Sequence, residues 1–200
     1  MRASGDDLDP ALRVDWLEAF ELGDGRPGRL GLTFLPGKHG PSLRYPGRIY
    51  RRDLGRDLET LRSAGVCFLA LLVEDHELAR WGDPTIVQRG SSAGVNIDRH
   101  PIRDGEAPRS PSAMDAILSG LTVAREAGDA AVACMGGVGR AGTTAACALV
   151  AGGTSAEAAI ARVRALRHPT AVETAGQVAF VQGYERHIAD LGGVSRRVSP

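Results

Sequence analysis

The chain has 200 residues, a length suited to one domain, and 43% of them are apolar, enough to build a sizeable core. Its 24 basic side chains balance its 24 acidic ones, so no global field draws in nucleic acid or an anionic membrane, and neither is expected as a partner. The opening segment carries acidic residues where a signal peptide needs an apolar run, and no later stretch approaches the roughly 20 apolar residues that span a bilayer, so a cytoplasmic protein is expected.

In chain order, Val14 to Phe20 and "RLGLTFLP" (Arg29 to Pro36) read as two short strands joined in a hairpin by the Gly/Pro-rich "GDGRPG". Residues 36 to 47 are loop by their Pro and Gly density. Leu54, Leu58 and Leu61, spaced i, i+4 and i+7, predict a helix that Gly65 stops. "VCFLALLV" follows, an unbroken apolar run of the kind found in a central strand covered on both faces. "VNIDRHPI" is predicted as the next strand and "RDGEAPRS" as a loop. Ser110 and Pro111 then suit the N-cap and first position of a helix whose apolar stripe is Met114, Ile117, Leu118 and Leu121. "AAVAC" is a further strand, and "TTAACALV" begins another helix. Thr154 and Glu157 fit a capping box for a helix that buries Ala159, Ile160, Val163 and Leu166. The last helix is predicted from about Thr174 to Leu191, with Val181, Tyr184 and Ile188 on one side. Strands alternating with helices give an α/β fold: a central, mostly parallel sheet flanked by helices, with a helical C-terminal third.

The three cysteines, Cys67, Cys134 and Cys147, are an odd number without C-x-x-C spacing, and the five histidines lack the i, i+4 pairing of a helical metal site. No metal is expected. Cys67 lies in an apolar strand and Cys147 in an apolar helix, so both are expected to be packed thiols.

"AVACMGGVGRAGTTAACALV" (131–150) admits two readings. Gly137, Gly139 and Gly142 fit G-x-G-x-x-G, the fingerprint of a nicotinamide dinucleotide site, and the flanking strand and helix suit it. That reading also needs a second strand ending in an acidic residue about 20 positions on. Glu157 stands near that distance but opens a helix, and no strand follows. In the alternative, Cys134 and Arg140 bracket Met135, Gly136, Gly137, Val138 and Gly139. Five residues between strand and helix can curl so that their N–H groups form a nest for a tetrahedral anion, and three glycines make the curl sterically cheap. The anion then lies against Cys134, and Arg140 folds back to hold two of its oxygens in a planar fork. A cysteine at a helix N-terminus beside a cation commonly ionises between about 3.5 and 7.5, below the free thiol, which suits a nucleophile.

"CMGGVGRAG" resembles the signature loop of the cysteine-dependent protein tyrosine phosphatase superfamily. With "LGLTFLPG", "YRRDLGRDLETLRSAGV", "LLVEDHEL", "HPIRDGEAP" and "SAEAAIARVRAL" around it, the chain resembles the kinase-associated phosphatase family of dual-specificity phosphatases over about residues 28 to 190. The resemblance implies one phosphatase-like domain over 1–200 that needs no cofactor. It implies Cys134 as nucleophile, Met135 to Arg140 as the phosphate cradle, Asp104 as general acid on a loop that Gly105 lets flex, and Gln177 as the residue that holds the water of the second step. An Asp-Gly turn and an exposed helix glutamine are the bland alternatives for Asp104 and Gln177.

Two positions depart from the family pattern. Ala133 replaces a histidine that helps to orient the loop, and Ala141 replaces a hydroxyl that assists departure of the sulfur, so slow turnover is expected. Thr144 stands one helical turn beyond Ala141. The cradle has no cationic side chain between Cys134 and Arg140, which directs the substrate expectation to a monophosphate ester on protein Tyr or Ser/Thr, or a small phosphomonoester. A phosphoprotein-binding module without turnover and a sulfurtransferase remain as other classes of answer.

Overall fold

The structure is a computed structural model that describes residues 9–42 and 44–197. The acidic segment 1–8, Leu43 of the loop over 36–47, and residues 198–200 lie outside the described residues.

The predicted opening hairpin is present. β1 (Asp15–Leu17) pairs antiparallel with β2 (Leu30–Phe34), Trp16 facing Gly31. β1 is shorter than expected because Ala19–Leu22 turns into a 3-10 helix that ends on Gly23 at φ 63, a conformation glycine adopts cheaply. The segment after β2, read as loop throughout, contains a second small hairpin of β3 (His39–Pro41) and β4 (Ile49–Arg51). Helix α1 (Leu54–Ser63) starts on Asp53, whose carboxylate accepts from the Arg56 N–H, and buries the leucines that predicted it.

β5 (Val66–Leu71), β6 (Asn96–Arg99) and β7 (Asp129–Cys134) complete the main sheet, in the order β1-β2-β7-β5-β6 with the last four strands parallel. Two helices between β5 and β6 were not anticipated, α2 (Asp75–Trp81) and α3 (Ile86–Ser92). Each has seven residues, too short for an apolar period to stand out. α4 (Pro111–Ala124) has the predicted Ser110 cap. α5 (Arg140–Ala151) begins three residues ahead of the expected "TT". α6 (Ala156–Leu166) is capped by Ser155 through the Ala158 N–H, which corrects the predicted Thr154–Glu157 box by one residue. α7 (Ala175–Arg197) runs past the expected end at Leu191.

Alternation along the strands separates two cores. Leu30, Leu32, Ala70, Val132 and Cys134 face α4 to α7, whereas Leu69, Leu71, Ala131 and Ala133 face α1 to α3. β7 is central and three of its six residues are alanine, so α5, itself presenting Ala141, Ala145 and Ala146, packs close to it. Because β2, β7, β5 and β6 are parallel, their C-terminal ends share one edge of the sheet. Four loops meet there, in the crevice where open α/β sheets bind ligands.

Candidate active site

β7 ends on Cys134, whose parity along the strand turns it toward the α5 side. Cys134 is buried, and its Sγ accepts a hydrogen bond from the Gly137 N–H at 3.2 Å, so the loop has curled with an amide pointing at the sulfur. Gly137 takes φ 68, and a Cβ there would stand 2.4 Å from the Thr33 carbonyl oxygen. Among the described residues no protein acceptor takes the N–H groups of Gly136, Val138, Gly139 or Arg140, and no side chain caps α5. These donors, with the positive end of the α5 dipole, are free for an anion.

The loop's carbonyls are held outward by cations from distant segments. Lys38 Nζ donates to Met135 O at 3.2 Å, and Arg167, at the end of α6, donates to Gly136 O at 3.2 Å and Gly137 O at 3.0 Å. Fixing the oxygens outward turns the amides inward. On the far side Val172 N donates to Val138 O at 3.3 Å, and Val172 itself takes φ 59. A β-branched residue in that region costs about 1–3 kcal/mol, a strain tolerated where surrounding packing fixes the backbone.

Arg140 opens α5 and folds back, only 1% of its side chain exposed. Its Nη1 and Nη2 donate to the two oxygens of Glu77 at 2.6 and 2.8 Å, and Nη1 also donates to Ile102 O at 2.9 Å. Burial opposes the guanidinium charge, but the Glu77 hydrogen bonds and the Cys134, Glu77 and Asp104 charges outweigh it and hold Arg140 above its ordinary range. Burial likewise opposes ionisation of Glu77, and the Arg140 bonds with the Glu74 N–H hold it below the usual glutamate value. Glu77 does two jobs, capping α2 through the Glu74 N–H and fixing the arginine fork. The sequence reading missed it; the spacing of Glu74 and Glu77 after an apolar strand signals the helix start, but nothing local signals a partner 63 positions away.

Asp104 reaches the same place from the loop after β6. Its carboxylate lies 2.9 Å from Arg140 Nη2 while its side chain stays 74% exposed, so it stands at the mouth of the cradle. The loop is latched from behind: Thr174 Oγ1 donates to Gly105 O at 2.9 Å and Gln177 Nε2 to Glu106 O at 3.0 Å. Gln177 is fully buried rather than an exposed helix glutamine, and its Oε1 accepts from the Glu173 and Thr174 N–H groups. It also borders the cradle, since a Cβ on Gly139 would lie 3.2 Å from its amide atoms.

The departures noted in the sequence are fully buried. Ala133 faces the α1 to α3 core and Ala141 the opposite one. The Thr144 hydroxyl donates to Arg140 O at 3.1 Å, along its own helix, so it does not stand in for a hydroxyl at 141. Cys147 is packed in the core, where burial pushes its thiol well up, and Cys67 lies against the Ala124 and Asp129 carbonyls. Among the described residues no group of His, Cys, Asp and Glu is arranged to hold a metal ion, and no helix is long and apolar enough to cross a membrane.

Above the cradle opens a cavity of about 520 Å³, walled by Phe34, Tyr45, Tyr50 and Trp81 and floored by Met135 and Val138.

Residues 7–160 match the family model described as cyclin-dependent kinase inhibitor 3 (CDKN3). The cyclin-dependent kinase inhibitor 3 of Homo sapiens is 26% identical over 200 residues, covering 97% of this chain and 90% of that protein. The Rattus norvegicus protein of the same name is 25% identical over the same shares. Among solved structures, kinase associated phosphatase with its catalytic-site cysteine replaced by serine superposes with a TM-score of 0.78 at 26% identity, covering 90% of this chain and 98% of that one. Tk-PTP in its active form does so with a TM-score of 0.63 at 28% identity, covering 82% and 93%.

Proposed function

The chain belongs to the cyclin-dependent kinase inhibitor 3 family, within the dual-specificity protein tyrosine phosphatases, and from that premise we propose that it hydrolyses phosphate monoesters on protein Tyr and/or Ser/Thr through a cysteinyl-phosphate intermediate. The observation that carries this reading is the meeting, around one curled loop, of a sulfur, inward-facing amides, a buried arginine fork and a carboxylate at the mouth.

In the first step the Cys134 thiolate attacks phosphorus with its lone pair and the bond to the ester oxygen breaks. Asp104 gives its proton to the departing oxygen. The inward amides and Arg140 hold the equatorial oxygens, where the transition state carries its charge. In the second step water attacks the phosphocysteine, Asp104 takes the water's proton, and the P–S bond breaks to return the thiolate and release inorganic phosphate. Gln177 borders Gly139, a place from which its amide orients that water. Aromatic cavity walls and a cradle without a cationic side chain between Cys134 and Arg140 suit a phosphorylated protein side chain, with a small phosphomonoester as a lesser substrate.

A second reading, a phosphoprotein-binding module with little turnover, draws on the fully buried Ala141 and the engagement of Thr144 elsewhere. Hydrolysis of p-nitrophenyl phosphate from about pH 5 to 8, with vanadate inhibition, separates the two. The phosphatase reading expects turnover that Cys134→Ser abolishes while phosphate binding persists. Turnover by Cys134→Ser, or none by the native chain at any pH, overturns it.

A further inference from the structure

Lys38 is the chain's sole lysine, and its residue is 7% exposed. Five cationic side chains line the cavity beside the cradle: Arg13, Lys38, Arg44, Arg48 and Arg167. The four arginines already have carboxylate partners. Arg13 and Arg167 pair with Asp15, Arg44 with Glu173 and Arg48 with Asp9. Lys38 has no carboxylate within ion-pair distance among the described residues. Its Nζ is met by the Met135 carbonyl at 3.2 Å and by the face of Tyr50, 4.1 Å from the ring centroid. An ammonium carries three donors, so one carbonyl and one π face leave hydrogen-bonding capacity unused in a place poor in water. Burial pushes the Lys38 ammonium down to about 8, with Cys134 acting in the opposite sense, so it remains mostly charged at neutral pH. A buried charge with no carboxylate in contact is costly, and the cost is relieved when a ligand supplies one.

The cradle needs no help from Lys38 to neutralise the scissile phosphate, since Arg140 and the inward amides face it. A cavity of about 520 Å³ also has room for more than one phosphorylated side chain. Resting on the phosphatase reading above, we infer that Lys38 is a specificity-determining residue: it binds a second anionic group, phosphate or carboxylate, carried by the phosphoprotein segment next to the phosphorylated residue being hydrolysed. With the four arginines held by Asp15, Glu173 and Asp9, Lys38 is the lining cation left without a carboxylate among the described residues, and its charge is the one that favours such a segment.

The test uses Cys134→Ser, which traps peptides without turnover, and three phosphotyrosine peptides of one sequence whose adjacent residue is Ser, Glu or phosphoserine. Affinities by isothermal titration should rank phosphoserine above Glu above Ser, spanning about 10- to 100-fold, the range for a charge-assisted hydrogen bond. Lys38→Met in the same background should collapse the ratio toward one, whatever it does to affinity as a whole, and Lys38→Arg should keep most of the ratio. Equal affinities for the three peptides, or a ratio unmoved by Lys38→Met, overturns the inference and leaves the phosphatase reading standing. A uniform loss across all three assigns Lys38 to the scissile phosphate and likewise overturns it. If no peptide binds, the inference falls, while the phosphatase reading stands or falls on p-nitrophenyl phosphate turnover.

Discussion

Glu77→Gln is the most informative perturbation of this site. The carboxylate is 5% exposed and Arg140 1%, and two bonds of 2.6 and 2.8 Å join them as a fork on a fork. The amide keeps the shape but loses the charge and must turn one N–H toward the guanidinium. Removing one partner of a buried pair leaves the other desolvated and costs about 3–5 kcal/mol. With a urea m-value of about 2 kcal/mol/M, the unfolding midpoint should fall by about 1.5–2.5 M. The arginine also loses the group that aims it, and a displacement near 1 Å in a reacting geometry costs about 100-fold in rate. Urea unfolding followed by circular dichroism reads the first effect, and kcat for p-nitrophenyl phosphate the second. Glu77→Gln combined with Arg140→Met removes both charges, so the double variant should be markedly more stable than the two single losses added together. The pair also sets an acid limit. Because Glu77 is held below its ordinary value of 4.5, the unfolded chain takes up its proton first. The stabilisation is therefore intact above about 4.5 and is lost as pH falls through the folded value. A loss below about 1 kcal/mol for Glu77→Gln, or strict additivity in the double variant, would refute the view that this pair fixes the fork.

Asp104→Asn keeps the loop latch, which runs through the Gly105 and Glu106 carbonyls, but removes the carboxyl proposed as proton donor. We expect kcat for an alkyl phosphate to fall by about 100- to 10,000-fold with KM nearly unchanged, and steady-state kinetics showing a fall mainly in KM would contradict the acid role. Gly137→Ala meets the Thr33 carbonyl at 2.4 Å from a left-handed backbone, so phosphate protection against thermal unfolding should disappear. Retained protection would mean that the cradle tolerates a different curl. Ala141→Ser places a hydroxyl one residue beyond Arg140, and breakdown of the phosphoenzyme should speed up by about 3- to 10-fold, seen as a smaller p-nitrophenol burst and a higher steady rate. An unchanged burst would show that sulfur departure does not limit turnover.

The strands and the long helices were readable along the chain because each rests on short-range chemistry. Apolar period separates the leucine-striped α1 from the continuous run of β5, and Ser110-Pro111 marks the start of α4. Cys134 and Arg140 bracket one glycine-rich loop, so the curl that brings them close follows from local backbone geometry. The short α2 and α3 escaped notice because seven residues hold too few turns for a pattern, and the cap of α6 slipped by one because Thr154 and Ser155 are chemically equivalent candidates.

The rest of the site depends on strand order. β7 lies between β2 and β5, and β6 lies beyond β5, all parallel, so the segments carrying Lys38, Glu77, Asp104 and Cys134 meet at one edge although they span about half the chain. Only that arrangement gives Arg140 its carboxylate, seats Gln177 behind the Asp104 loop and brings the one lysine to a cradle that has no cationic side chain of its own before Arg140. The composition and local patterns show which residue types the loop brings together. The packing of distant segments settled which charges surround it, because ion pairs and buried counter-charges are set by distance in space, and residue spacing carries no trace of it.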